Sequence, residues 1–300
     1  MNRIYYWIVC CVLNLCVACN DRTDDDGVGA TDLDLDYFVV SDDYDNAIDS
    51  LRYEIFKKYN IAVYYDDTIG VYDRGEKDRE GNTKLFYRVI RPPYSISGWD
   101  SSLDWREVED KETLRPVMNM LLNYTFDDFP TLFLPKCFYL VEWMNKGTYH
   151  NTMEAGMVNI AKKENTPESA AELRGDIATE GFKTYYSMEL IPFYEVTPNV
   201  YGDIYDKFVI YDLGVGFPEY DMPGLGIYED GDEPMKFGFL RFTDYFGEMK
   251  TLLHEDDLED FVKLTLSKTR EDVYAEYADY PLVLEKYEII LNLWNKAKAQ

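Results

Sequence analysis

Four of the five cysteines stand within the first nineteen residues, at Cys10, Cys11, Cys16 and Cys19, and the rest of the chain holds only Cys137. No disulfide can therefore close inside the folded part. A domain without that constraint has to be held by its hydrophobic core. The chain can supply one: 46% of its 300 residues are hydrophobic, enough for one large domain or two ordinary ones.

Charge removes several function classes. Lys and Arg total 30 against 57 Asp and Glu, a formal charge of −27. Such a chain repels phosphate backbones, which excludes nucleic acid as a partner, and it gains nothing electrostatically from an anionic bilayer. There are only two histidines, His150 and His254, 104 positions apart. That scarcity narrows metal and general-base chemistry more than any other feature.

The N-terminus has one charge, Arg3, then an apolar run over residues 4–18 interrupted by Asn14. The run is shorter than the ~20 residues a membrane span needs and fits a secretory signal. It ends in Cys16-Val17-Ala18-Cys19. A small residue before a cysteine resembles the lipobox of bacterial lipoproteins, with Cys16 standing where Leu is usual. The resemblance implies a signal peptide over residues 1–18 and a lipid on Cys19, the membrane attachment of the mature chain. Residues 19–36 read as an acidic tether, with Asp24-Asp25-Asp26 just beyond the cysteine. Acid there resembles the surface-export signal of Bacteroidota lipoproteins; an ordinary flexible linker is the other reading. Asp32, Asp34 and Asp36 alternate like a calcium loop, but Tyr37 occupies the position that needs glycine.

Residues 37–300 read as α+β, either one domain or two lobes over 37–189 and 190–300. A 3.6-residue period through Tyr44, Ala47, Ile48, Leu51 and Ile55 predicts a helix capped by Ser41 and ending near Tyr59. Residues 61–65 and 84–91 read as strands, separated by a charged loop over 73–82. Residues 105–124 read as a helix in which Pro116 implies a kink or a late start. Apolar runs at 132–134, 137–141 and 156–161 read as strands. Thr166-Pro167-Glu168 starts a helix running to about residue 187. Residues 190–247, rich in Pro, Gly and Tyr, carry loops and short strands. Helices then open at Asp256 or Asp257, at Thr269 with Asp272 as a capping box, and at Pro281, the last bearing Val283, Tyr287, Ile290 and Trp294 on one face.

This order resembles the zincin arrangement of a small sheet backed by helices, with a helical C-terminal part. More specifically, the chain resembles the zinc-metallopeptidase lipoproteins of Bacteroidota encoded beside outer-membrane nutrient-uptake systems. The likeness is carried by the lipobox, by Tyr59-Asn60-Ile61-Ala62-Val63-Tyr64-Tyr65, and by the stretches from Glu259 to Leu264 and from Tyr280 to Ile290. It implies an outer-membrane location, on the cell surface or facing the periplasm, and an uptake complex as partner.

Zincin chemistry needs His-Glu-x-x-His on a helix, because a spacing of four puts both imidazoles on one face around Zn²⁺. The chain has no such motif. Matched to the family by position, Thr179-Glu180-Gly181-Phe182-Lys183 stands in its place, with Thr179 and Lys183 at the histidine positions and Glu180 at the Glu. The family's downstream acidic ligand matches Lys263. These vestigial positions imply no bound metal and no cofactor. Leu173, Ile177 and Glu180 share a helical face, so an inward Glu180 needs a partner, and Lys183 at i+3 supplies one; the plainer alternative is a solvated surface for both.

Other constellations are weaker. His254-Glu255-Asp256-Asp257 fits an acidic helix N-terminus. His150 lies in a polar loop, and Cys137 in an apolar run reads as a buried thiol. Ser95-Ile96-Ser97-Gly98 lacks the first glycine of a nucleophile elbow, and the paired glycines at 214–216 and 224–226 precede no helix. The reading that follows is a binding or accessory protein with no catalytic residue assigned. Two alternatives stay open: a hydrolase using two carboxylates on peptide or glycan, and a glycan-binding surface in the aromatic-rich stretch 193–246.

Overall fold

The computed structural model describes residues 39–40, 42, 46–90, 103–152, 155–196, 205, 209–211, 225–228, 234–245 and 248–300. The signal peptide, Cys19, the tether, Ser41, residues 91–102 and residues 212–224 lie outside them. Helix α1 (Ala47–Tyr59) leads into strand β1 (Ala62–Tyr64). A hairpin of β2 (Thr68–Lys77) and β3 (Thr83–Val89) follows. Next come β4 (Trp105–Arg106), α2 (Arg115–Met120), β5 (Cys137–Val141), β6 (Trp143–Met144), β7 (Tyr149–Asn151) and β8 (Gly156–Asn159). Helices α3 (Pro167–Tyr185) and α4 (Ile191–Glu195) precede β9 (Val209–Tyr211), β10 (Leu225–Tyr228), β11 (Thr243–Tyr245) and β12 (Glu248–Lys250). The chain ends in α5 (His254–Ser267), α6 (Arg270–Glu276) and α7 (Pro281–Lys298). Mixed helices and small sheets with a helical C-terminal part make this an α+β fold.

The main sheet runs β1-β5-β8-β7. The β1–β5 and β5–β8 pairs are parallel, and β7 closes one edge antiparallel. A strand inside a parallel sheet is covered on both faces, so its sequence reads as an unbroken apolar run. Cys-Phe-Tyr-Leu-Val in β5 does so, and every residue of it is buried, the Cys137 thiol included.

By its contacts the chain divides into two units. One holds Val39 and the β2–β3 hairpin; the other holds residues 40–67 and 90–300. In the larger unit one apolar core takes Ile55 from α1, Val63 from β1, Phe138 from β5, Ile177 from α3, Phe261 from α5 and Tyr287 from α7. In the smaller unit β3 is exposed along most of its length, with Phe86 and Val89 half-buried.

Several boundaries differ from expectation. Asn46, not Ser41, caps α1, accepting from the N–H groups of Ile48 and Asp49. Residues 73–77 are strand, because cross-strand pairing from Thr68↔Val89 to Lys77↔Thr83 holds a polar sequence extended. The single helix expected over 105–124 is four pieces: β4, a 3-10 turn at Lys111–Leu114 capped by Asp110, α2 with Pro116 in its first turn, and a π turn at Leu121–Thr125. Proline lacks the N–H that an earlier helical turn would need, so the late start is the outcome. Residues 131–133 form a 3-10 turn rather than a strand, and β8 gives way to one at Ile160. His150 sits in β7, not in a loop. Helix α5 opens at His254, two residues before the expected start.

Candidate functional site

Helix α3 starts where Thr166 accepts from the N–H of Ser169 and Pro167 takes the first turn. Its inner face, Leu173, Ile177 and Phe182, is buried. Gly181 lies against Phe133: a Cβ there would fall 2.8 Å from Phe133 Cβ and closer still to the ring. Beside this apolar face runs a stripe of acids at four-residue spacing, Glu172, Asp176 and Glu180. Lysines meet each of them. Lys163, whose side chain is fully buried, reaches Glu172 at 2.9 Å. Lys263 of α5 lies 4.0 Å from Asp176 and pairs with Glu259 one turn back on its own helix. Lys183 sits 2.9 Å from Glu180 and 3.2 Å from Glu255 of α5.

This α3–α5 seam contains all four positions that the zincin resemblance singles out. The Thr179 side chain is buried, and its hydroxyl donates to the Gly175 carbonyl at 2.9 Å, one turn back. The missing Cβ of Gly175 makes room for the Lys263 stem, since an added Cβ would meet Lys263 Cγ at 3.0 Å. Glu180 is half-buried at the edge of the helix face rather than inside it, and it accepts from Lys183. The helices run antiparallel, Gly175 against Lys263 and Lys183 against Glu255. The two lysines are therefore separated by about two helical turns, ~11 Å along the axis, and do not meet at one point.

The electrostatics follow from burial and pairing. Burial pulls the Lys183 ammonium toward neutrality, but the hydrogen bonds and charges of Glu180 and Glu255 outweigh it and leave the group above the ordinary lysine value. Lys263 behaves likewise, through Glu259, Asp176 and Glu172. For Asp176 burial dominates and holds the carboxyl above the usual range, although Thr148 donates to it at 2.5 Å and Lys163 and Lys263 are near. Burial also raises the Tyr149 phenol, with Glu180 and Asp176 adding to the effect. An ammonium offers donors and no lone pair, so Lys183 and Lys263 as paired here are not metal ligands. Among the described residues no group of three or more His, Cys, Asp or Glu side chains could hold a metal ion.

A second polar cluster lies deeper and was not foreseen. Asp257 and Lys286, on α5 and α7, are both fully buried, with Lys286 Nζ 2.8 Å from Asp257 Oδ2. Tyr205 donates to the same oxygen at 2.7 Å and accepts from Lys286 at 3.2 Å. The rings of Phe239, Phe193, Tyr205 and Phe261 surround the lysine nitrogen at 4.5, 5.0, 5.4 and 5.6 Å. His254 stacks on Tyr205 with centroids 3.8 Å apart and meets Tyr194 edge-on. Burial raises the Asp257 carboxyl and lowers the Lys286 amine, both toward their neutral forms, against the pull of each on the other. One signal for this cluster was in the sequence: Lys286 stands three residues after Val283 and four before Ile290, inside the apolar stripe of α7.

The aromatic supply of residues 193–246 goes largely to this core where it is described, with Phe193, Tyr205, Phe239 and Phe242 buried. Asp260, close to Lys263 in sequence, pairs instead with Arg241 at 2.8 Å. No helix among the described residues is long and apolar enough to cross a membrane. No family model matches the chain, and no curated protein or solved structure matches it either.

Proposed function

We propose that this chain is an exported lipoprotein, anchored through Cys19, that works by binding as an accessory of an outer-membrane nutrient-uptake assembly and has no peptidase activity of its own. The export signal and the uptake role rest on the lipobox, the acidic residues after it and the family resemblance. What supports the non-catalytic reading is Lys183. Its ammonium lies between Glu180 and Glu255, where the family it resembles carries an imidazole with a free lone pair. A charged donor at that point binds carboxylates and repels a cation. Glu180, the one matched residue kept, is hydrogen-bonded to that lysine. The seam thus reads as helix-to-helix adhesion.

Full-length protein purified without chelator is the test. Metal analysis is expected to find zinc well below one ion per chain, and peptide cleavage is expected to be absent with or without chelator. One tightly held zinc per chain, with cleavage that a chelator abolishes, overturns the reading. For the anchor, Cys19→Ala should move the protein from the membrane to the soluble fraction; unchanged membrane retention contradicts lipidation at that residue.

A further inference from the structure

We propose that Lys286 and Asp257 are joined by an intramolecular isopeptide bond, formed by the folded chain itself with Tyr205 as the catalytic residue. The geometry brings nucleophile and electrophile together. Lys286 Nζ lies 2.8 Å from Asp257 Oδ2, and both side chains are fully buried. Holding two reacting groups in contact removes most of the entropic barrier to their reaction. Aromatic rings close around the nitrogen, so water, which drives such a condensation backward, is kept away.

The two oxygens of Asp257 are in different situations. Oδ2 accepts from Tyr205 and Lys286, whereas buried Oδ1 has no hydrogen-bond partner. A bare carboxylate oxygen in that position is costly, and a protonated one much less so. Burial works in the same direction on both groups, toward a neutral acid beside a neutral amine. Lys286 passes one proton to Asp257, which carries it on Oδ1. The amine lone pair then attacks Cγ, and charge builds on Oδ2, where the Tyr205 hydroxyl donates from 2.7 Å. The Cγ–Oδ1 bond breaks. Oδ1 leaves as water, with the proton it held and a second from the nitrogen, and Oδ2 remains as the amide carbonyl. The condensation needs no oxidant, reductant or further reactant.

The bond ties α5 to α7 across 29 positions. It gives a chain that cannot form an internal disulfide in its folded part a covalent constraint of comparable kind.

Tryptic mapping of the full-length protein under denaturing conditions decides the matter. Cleavage after Lys250, Lys263, Arg270, Lys286 and Lys296 releases residues 251–263, 271–286 and 287–296 as linear peptides. The bond blocks cleavage at Lys286. It yields instead one branched species of 251–263 joined to 271–296, lighter by one water than the two summed. That species is the expected result, with fragmentation placing the branch at Asp257 and Lys286. Recovery of only the three linear peptides from the natural chain overturns the proposal, whatever the variants do. Asp257→Asn should give a branched species of the same mass, since ammonia leaves in place of water, and Asp257→Ala should give none. A folded Tyr205→Phe protein should show a smaller branched fraction at early times; an unchanged fraction removes the role given to Tyr205.

Discussion

Asp49 takes hydrogen bonds from three side chains, Asn46 at 2.6 Å, Tyr65 at 2.8 Å and Arg52 at 3.0 Å. Arg52 in turn donates to the Val63 carbonyl of β1 at 2.7 Å. One carboxylate thereby fastens the start of α1 to the first strand of the main sheet. Burial pushes this carboxyl upward, but the bonds from Tyr65, Arg52 and Asn46 and the charge of Arg52 outweigh it, and its pKa is lowered from 3.8. A carboxyl depressed on folding stabilises the protein above its unfolded-state pKa, and that contribution fades as pH falls through the folded-state value. Asp49→Asn removes the charge. The variant is expected to lose about 1–2 kcal/mol at neutral pH, the scale of hydrogen bonds to a charged group. The loss should shrink as pH falls below the ordinary aspartate value and vanish below the lowered folded-state value, where the natural carboxyl itself takes up a proton. Urea unfolding at pH 7 and pH 3 measures both; an equal loss at the two pH values contradicts the assignment.

Helices α5 and α7 meet through Asp257 and Lys286 inside an otherwise apolar interface. Removing Lys286 leaves the buried Asp257 carboxyl uncompensated, so Lys286→Met should destabilise by about 3–5 kcal/mol from that cost alone, with loss of the proposed bond adding to it. Adding Asp257→Leu removes the stranded carboxyl, and the double variant should be more stable than Lys286→Met alone. Chemical denaturation gives both numbers, and a double variant less stable than the single argues against a buried acid as the source of the cost. Helix starts were legible in the sequence because they are local: Thr166-Pro167, Thr269 with Asp272, and Pro281 each begin the helix expected of them. The stretch 105–124 was misread because its apolar spacing suits one long helix, while Asp110 and Pro116 divide it into turns of different pitch. The Glu180–Lys183 pair was legible for the same reason of locality. The Lys183–Glu255 and Lys286–Asp257 contacts were not, since each joins residues that only tertiary packing brings together, and no spacing rule reaches that far.

At the scale of the whole molecule, stability resides in the larger unit, whose core draws on α1, the main sheet and the C-terminal helices. Among the described side chains of the hairpin in the smaller unit none is buried. Val71 and Tyr87 are directly paired across the strands, and Leu85 shares their face two residues away, yet all three are exposed. An isolated two-stranded hairpin is at best marginally stable, so its cross-strand bonds cannot be a main source of stability for the chain. In the larger unit the flanking residues already lie together: the Ile90 N–H donates to the Asp67 carbonyl at 2.7 Å, and Ile90 is buried. Replacing residues 68–89 with a short Gly-containing turn therefore closes a gap that is nearly closed, and shortening a loop carries only a small entropic change. The shortened protein is expected to unfold in one cooperative transition, with a urea midpoint close to that of the full chain. Loss of that transition, or a large fall in the midpoint, means the hairpin is part of what holds the core.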